Sequence, residues 1–104
     1  MRRFAWVLAL TLIASTPAFS QSRTQLWAAC QKGSPAEAIA ACTMLAETRG
    51  EMEENRALAL FNRANARRGQ REFDLALEDY SGALALRPEF QPALANRATI
   101  WLQK

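Results

Sequence analysis

The chain has 104 residues, a length that allows one small domain. Its 13 basic and 10 acidic side chains give a formal net charge of +3, and histidine does not occur. Such a small basic excess provides little counterion release, so no nucleic-acid partner is expected. Without histidine, the commonest general base and metal ligand is also excluded.

The first twenty residues have the three parts of a secretory signal peptide. Arg2 and Arg3 supply the positive start, and residues 4–14 form the apolar run. Ala18 and Ser20 are the small residues that precede a cleavage site between residues 20 and 21. Because the run is about half the ~20 residues that a spanning helix needs, no stable membrane insertion is expected after cleavage. The sequence therefore predicts export, either to the periplasm or by secretion.

Five later segments repeat apolar residues at helical spacing, and none of useful length alternates as a strand does. The predicted fold class is therefore all-α, with about five helices after the signal peptide. The first helix places Leu26, Trp27 and Cys30 on one face. It ends at Gly33, where we expect a positive φ.

The second helix has the best-marked start in the chain. We expect Ser34 to cap its free amides, Pro35 to occupy the first helical position, and Glu37 to complete a capping box. The helix is expected to end near Gly50. Its predicted buried face consists of Ala38, Ile39, Cys42, Leu45 and Ala46.

Cys30 and Cys42 are the only cysteines, and they lie on the adjacent helices of this predicted hairpin. In an oxidising compartment an even pair predicts a disulfide, which here is worth about 3 kcal/mol in the chain-entropy model. The alternatives are a redox or metal pair and two buried free thiols. A metal pair lacks a third cysteine or a histidine, so we expect neither a metal nor a cofactor.

Three further helices follow, joined by short connections that favour antiparallel neighbours. Gly69 and Gln70 are expected to form one bend, Pro88 to stop the fourth helix and Pro92 to start the fifth. The third helix has a predicted apolar face of Ala57, Leu60, Phe61 and Ala64. The corresponding face of the fourth consists of Phe73, Ala76, Leu77, Tyr80, Ala83 and Leu84.

The segment LFNRANA at residues 60–66 partly recurs as LANRATI at residues 94–100, an offset of 34 residues. That period is typical of the tetratricopeptide repeat, a helical hairpin that buries its face by stacking on the next. Residues 59–88 resemble this family closely. The residues at the family's packing positions are Leu60, Ala64, Ala76, Tyr80, Ala83 and Pro88. The resemblance implies antiparallel helical hairpins stacked as a short solenoid.

The resemblance also divides the chain. After the signal peptide at residues 1–20, residues 21–50 form a degenerate first hairpin, 51–56 a linker, 57–90 one complete repeat, and 91–104 a capping helix or half repeat.

The fifth helix gathers five apolar residues within an arc of about 120°, and Ile100 is the apolar exception outside that arc. This distribution favours a cap that closes the solenoid. In the alternative, Trp101 and Ile100 need a second helix from another copy or another protein. The five residues are Leu94, Ala95, Ala98, Trp101 and Leu102.

Two arginines depart from the family pattern: Arg63 and Arg67 stand where leucine and an aromatic residue are usual. We expect their stems to pack and their charged heads to reach water. With Arg68 and Arg71 they form a basic stripe, which favours a self-paired, solvated surface over a docking site for an acidic partner. The nearby acidic residues are Glu72, Asp74, Glu78 and Asp79.

In this family the first helix of each repeat lines a concave groove that receives a peptide or a partner helix. Asparagines suit such a groove because an amide both donates to and accepts from a peptide backbone, although they are equally tolerated on a solvated helix face. Phe61 stands where a carboxylate clamp needs a lysine, so no clamp is expected. The matching partner-binding residues are Leu58, Phe61, Asn62, Asn65, Arg68, Asn96 and Thr99, with Ala95 beside them.

No arrangement of residues in the chain predicts catalysis. The sequence has no glycine-rich phosphate loop, no nucleophile-elbow serine and no cysteine with a basic partner. The predicted function is therefore an exported adaptor that binds a protein or peptide and is not an enzyme. The alternatives are a structural module that forms homo-oligomers through the fifth helix, and the repeat-bearing part of a longer protein.

Overall fold

The structure, a computed structural model, describes residues 21–104 and is helical throughout this range apart from turns and short connections. Neighbouring helices pack in chain order, and the first also contacts the third. The five helices are α1 (Arg23–Lys32), α2 (Pro35–Ala46), α3 (Glu53–Gly69), α4 (Phe73–Leu86) and α5 (Gln91–Gln103). The predicted all-α class is confirmed, while the predicted signal peptide lies outside the described residues. None of the five helices has the length and apolarity that crossing a membrane requires.

Helix α1 begins with a complete capping box that was not predicted. Ser22 Oγ accepts from the Gln25 amide at 3.2 Å, and Gln25 Oε1 accepts from the Ser22 amide at 2.9 Å. At α2 the predicted box is only half formed. Ser34 Oγ accepts from the Glu37 amide at 3.4 Å, but the Glu37 carboxylate accepts from the Ser34 hydroxyl at 3.0 Å and not from its amide.

The α1–α2 turn needs glycine for a reason other than the one expected. Gly33 has a φ of −67°, so the predicted positive φ is wrong. A Cβ at this position would lie 2.5 Å from the Ala29 carbonyl oxygen, and only glycine permits that approach. In the described part of the chain, the left-handed residues are instead Gly50 and Arg71, with φ of 77° and 62°.

The connections on either side of α3 also differ from the expected ones. Helix α2 ends at Ala46, before Gly50, and α3 begins at Glu53, so residues 53–56 of the expected linker are helical. Gly69 is the last residue of α3, and the bend to α4 follows it. Glu51, in the α2–α3 connection, accepts from the guanidinium of Arg23 at 2.5 and 2.6 Å, which ties the connection to α1.

Two buried clusters form the core, and α3 contributes to both. The first cluster consists of Cys30, Ala41, Cys42, Leu45 and Ala59. The second consists of Ala64, Ala76, Tyr80, Leu84, Phe90, Ala93 and Ile100. Ala64 and Ala76 are completely buried, and their small side chains allow α3 and α4 to approach closely. Of the other expected packing residues, Ala83 is buried, Leu60 is half-buried and Pro88 is exposed just beyond α4.

Each of the two hairpins is held together by a bond from an equivalent position in its second helix. Cys42 and Tyr80 are each the eighth residue of their helices, α2 and α4, and both are completely buried. Cys42 forms the predicted disulfide with Cys30 of α1. Tyr80 donates its hydroxyl hydrogen to Asn65 Oδ1 of α3. A covalent bond in the first hairpin thus takes the place of a hydrogen bond in the second.

The expectation that Arg63 and Arg67 extend their heads into water is wrong. Both guanidinium groups bind Asp79 of α4, whose side chain is only 4% exposed. Arg63 donates to the two carboxylate oxygens at 2.9 and 2.8 Å, and Arg67 donates at 2.9 Å. These bonds raise the pKa of Arg63, chiefly through its hydrogen bonds to Asp79. The buried carboxylate explains why arginine is accommodated at both positions.

Helix α5 is rotated relative to the orientation expected of a cap. Ile100 is completely buried, whereas Trp101 and Leu102 are 62% and 87% exposed. Ala95 and Ala98 are exposed as well, so most of the face predicted to be buried is the solvent face. The cause is Phe90, which precedes the helix and packs its ring 4.9 Å from that of Phe61. This contact fixes the rotation of α5, whose apolar residues occupy both sides.

Candidate functional site

A cleft of about 290 Å³ opens between the α1–α2 turn and the C-terminal half of α3. The end of α1, the turn and the start of α2 form one wall of the cleft, and α3 forms the other. The lining residues are Cys30, Gln31, Gly33, Pro35, Ala38, Asn62, Asn65, Ala66 and Gly69. Three of these side chains are amides and none is charged, so the cleft offers hydrogen bonding without net charge.

Asn62 and Asn65 are the two predicted partner-binding residues that line this cleft. They lie three residues apart on α3, which places both amides on one face. Asn62 Nδ2 is buried and has no hydrogen-bond partner within residues 21–104. An unsatisfied buried donor is unfavourable, so a rotation of the Asn62 side chain that turns this amide towards an acceptor in the cleft gains a hydrogen bond.

Asn65 is already engaged inside the protein. Its Oδ1 accepts from the Tyr80 hydroxyl and, at 3.0 Å, from Asn96 Nδ2 of α5. Burial raises the pKa of Tyr80, while the positive charge of Arg68 opposes that shift. Tyr80 therefore remains a neutral hydroxyl donor at physiological pH. The network fixes the orientation of the Asn65 amide and links α3, α4 and α5.

The remaining predicted partner-binding residues do not line the cleft. Leu58 and Phe61 are half-buried against the second core cluster, and the Phe61 ring centroid lies 6.0 Å from that of Tyr80. Arg68 is half-buried near Tyr80. Thr99 is exposed on α5, where its hydroxyl donates to the Ala95 carbonyl at 2.9 Å. The structure therefore brings the two α3 asparagines together in the cleft, while Leu58 and Thr99 lie outside its lining.

The first hairpin contributes residues that sequence reasoning missed. Gln31, Gly33 and Pro35 line the cleft, yet the groove was expected only on the third and fifth helices. A signal was present, since a solenoid places alternate helices on one face and α1 precedes α3 in that series. Because residues 21–50 resemble the repeat only as a degenerate hairpin, the resemblance did not extend the expected groove to α1.

Comparisons with protein-family models, with curated proteins and with solved structures found no match to this chain. The cleft's volume of about 290 Å³ is just below the roughly 300–1,000 Å³ typical of ligand pockets, which suits a short segment more than a large cofactor. Amides facing small apolar groups favour a neutral, backbone-like ligand.

Proposed function

We propose that the protein is an exported tetratricopeptide-type solenoid that binds a protein or peptide segment along the face formed by α1, α3 and α5. Two contacts support this arrangement of alternate helices. Helix α1 packs directly against α3, and Asn96 of α5 donates to Asn65 of α3. The 34-residue recurrence in α3 and α5 fits the same architecture.

The observation that carries the proposal is the uncharged, amide-lined cleft in this face. Asn62 Nδ2 lacks a partner in residues 21–104, and once its side chain turns into the cleft it donates to a peptide carbonyl. Gln31 on the opposite wall provides a second amide for the ligand backbone. Such contacts favour a short neutral segment, with affinity supplied mainly by main-chain hydrogen bonds.

Export is supported by the Cys30–Cys42 disulfide, because such bonds persist in oxidising compartments. Cell fractionation followed by N-terminal sequencing tests this part. We expect the exported protein to begin at Gln21. Recovery of the intact chain from the cytoplasm with reduced cysteines contradicts export.

Peptide selection tests the cleft. Peptides are selected on the purified protein from a random display library, and their affinities are then measured by calorimetry for two matched tryptophan variants. Gly69→Trp places a large side chain in the cleft, and a Cβ at residue 69 meets no atom within 4 Å. Ala85→Trp adds the same side chain at an exposed position of α4.

We expect Gly69→Trp to lower the affinity for the selected peptides at least about tenfold and Ala85→Trp to leave that affinity unchanged. Asn62→Ala should also weaken binding while preserving the circular dichroism spectrum. If the selected peptides bind both tryptophan variants equally, or if none is enriched, the cleft is not the binding site.

A further inference from the structure

The contacts of α3 with its neighbours are partly repeated by α5. Arg63 Nη1 donates to Thr43 Oγ1 of α2 at 3.0 Å, and Arg97 Nη1 donates to Ser81 Oγ of α4 at 3.4 Å. The arginines are separated by the 34-residue repeat, and each hydroxyl belongs to the ninth residue of its helix. Helix α5 therefore lies on α4 much as α3 lies on α2.

On its other side α3 has partners that α5 lacks. Asp79 of α4 neutralises Arg63, and Ala64 is completely buried, as is Ala76 of α4. Ala98, the equivalent of Ala64, is exposed. Within residues 21–104, no carboxylate forms an ion pair with Arg97. Among residues 21–104, nothing therefore occupies the position on α5 that corresponds to that of α4 on α3.

We propose that the outer face of α5, formed by Arg97, Ala98, Trp101 and Leu102, binds an amphipathic helix of a partner protein. The bound helix carries a small residue followed three positions later by a carboxylate, the spacing of Ala76 and Asp79 in α4. The small residue lies against Ala98, and the carboxylate binds Arg97. Trp101 and Leu102 supply the apolar contact, in a helix-in-groove mode of recognition.

Charge favours such a partner over a second copy that contributes its own α5. Helix α5 contains no acidic residue, so two copies paired face to face would bring their Arg97 side chains together without a carboxylate. Asp79 of a second copy is also unsuitable, because it is buried and already binds Arg63 and Arg67. An acidic helix from another polypeptide has neither difficulty.

The test uses a peptide with the sequence of residues 71–88, which includes α4, labelled with fluorescein. A hydrocarbon staple joins positions 81 and 85, both exposed in α4, because a free peptide of this length is marginally helical. Fluorescence polarisation measures its binding to the purified protein, to Arg97→Gln and to Ala98→Arg. Ala85→Arg is the matched control, since it adds the same charge at an exposed alanine of α4.

We expect saturable binding that Ala98→Arg abolishes, Arg97→Gln weakens about tenfold and Ala85→Arg leaves unchanged. A peptide that carries Asp79→Asn should bind the unmodified protein about tenfold more weakly than the original peptide does. Its affinity for the Arg97→Gln protein should be little lower than that of the original peptide, because the ion pair is already absent there. Binding that survives Ala98→Arg means that the peptide displaces the resident α4, and it overturns the proposal. Absence of binding also overturns it. The same holds for a sedimenting dimer that Ala98→Arg dissociates, because a second copy then covers this face.

Discussion

The buried carboxylate of Asp79 holds the charges of Arg63 and Arg67 between three helices. Asp79→Asn removes the counter-charge and leaves two guanidinium groups facing each other, so we expect a loss of about 3–5 kcal/mol in the free energy of unfolding. Urea denaturation followed by circular dichroism measures the loss. Asp74→Asn on the same helix is the control, because Asp74 is 85% exposed and Lys104 is its one ion-pair partner within residues 21–104. Asp74→Asn should lower the free energy of unfolding by less than about 1 kcal/mol. If the two variants lose the same amount, the burial of Asp79 does not determine its contribution to stability.

The Glu51 carboxylate makes stability depend on acid pH. Hydrogen bonds from Arg23 and then from Asn55 lower its pKa from 4.5 to about 2. Because the folded pKa is the lower one, the stabilisation is complete above about pH 5 and is lost as the pH falls towards 2. The difference in Tm between the unmodified protein and Glu51→Gln should therefore be largest at neutral pH and shrink near pH 2. Glu78→Gln, an exposed control, should show no such trend, and a constant difference for Glu51→Gln contradicts the assignment.

At the scale of the helices, the α3–α4 contact depends on alanine. Ala76 is completely buried, as is Ala64, so Ala76→Leu should overpack the contact and cost about 1–3 kcal/mol. Ala85→Leu makes the same change at an exposed position of α4 and should leave the urea midpoint nearly unchanged. A stability loss shared by both variants would point to a general effect on α4 and not to the contact.

The existence of the helices could be predicted, but the rotation of α5 could not. Periodicity identified α3 and α4 because their apolar residues lie on one side, and Ala64, Ala76 and Tyr80 are all buried. Helix α5 carries apolar residues on two sides, so its sequence is compatible with either orientation. The Phe61–Phe90 contact, between residues 29 positions apart, selects the one that buries Ile100.

At the scale of the whole molecule, the disulfide stabilises the hairpin that resembles the repeat least. Reduction should remove about 3 kcal/mol and lower the Tm by on the order of 10–20 °C for a domain of this size. Thermal unfolding with and without dithiothreitol measures the shift. The Cys30→Ala, Cys42→Ala double variant should have the Tm of the reduced protein, and dithiothreitol should not change it. A Tm that dithiothreitol does not change would show that the bond contributes nothing.

The cleft illustrates what a single sequence leaves open. Asn62 and Asn65 could be predicted as partner-binding residues from the family resemblance, and both line the cleft. The opposite wall could not, because Gln31 and Pro35 reach the cleft only through the packing of the first hairpin on α3. The engagement of Asn65 by Tyr80 and Asn96 was equally hidden, since it joins three helices through side-chain geometry.

Helix α3 supplies Ala59 to one buried cluster and Ala64 to the other. Fraying can begin at either end of the described chain and proceed inward without disturbing the far end, until it reaches this shared helix. Amide hydrogens of α3 should therefore exchange with deuterium last, after those of both α1 and α5. The centre of the molecule keeps its shape while the outer helices open separately.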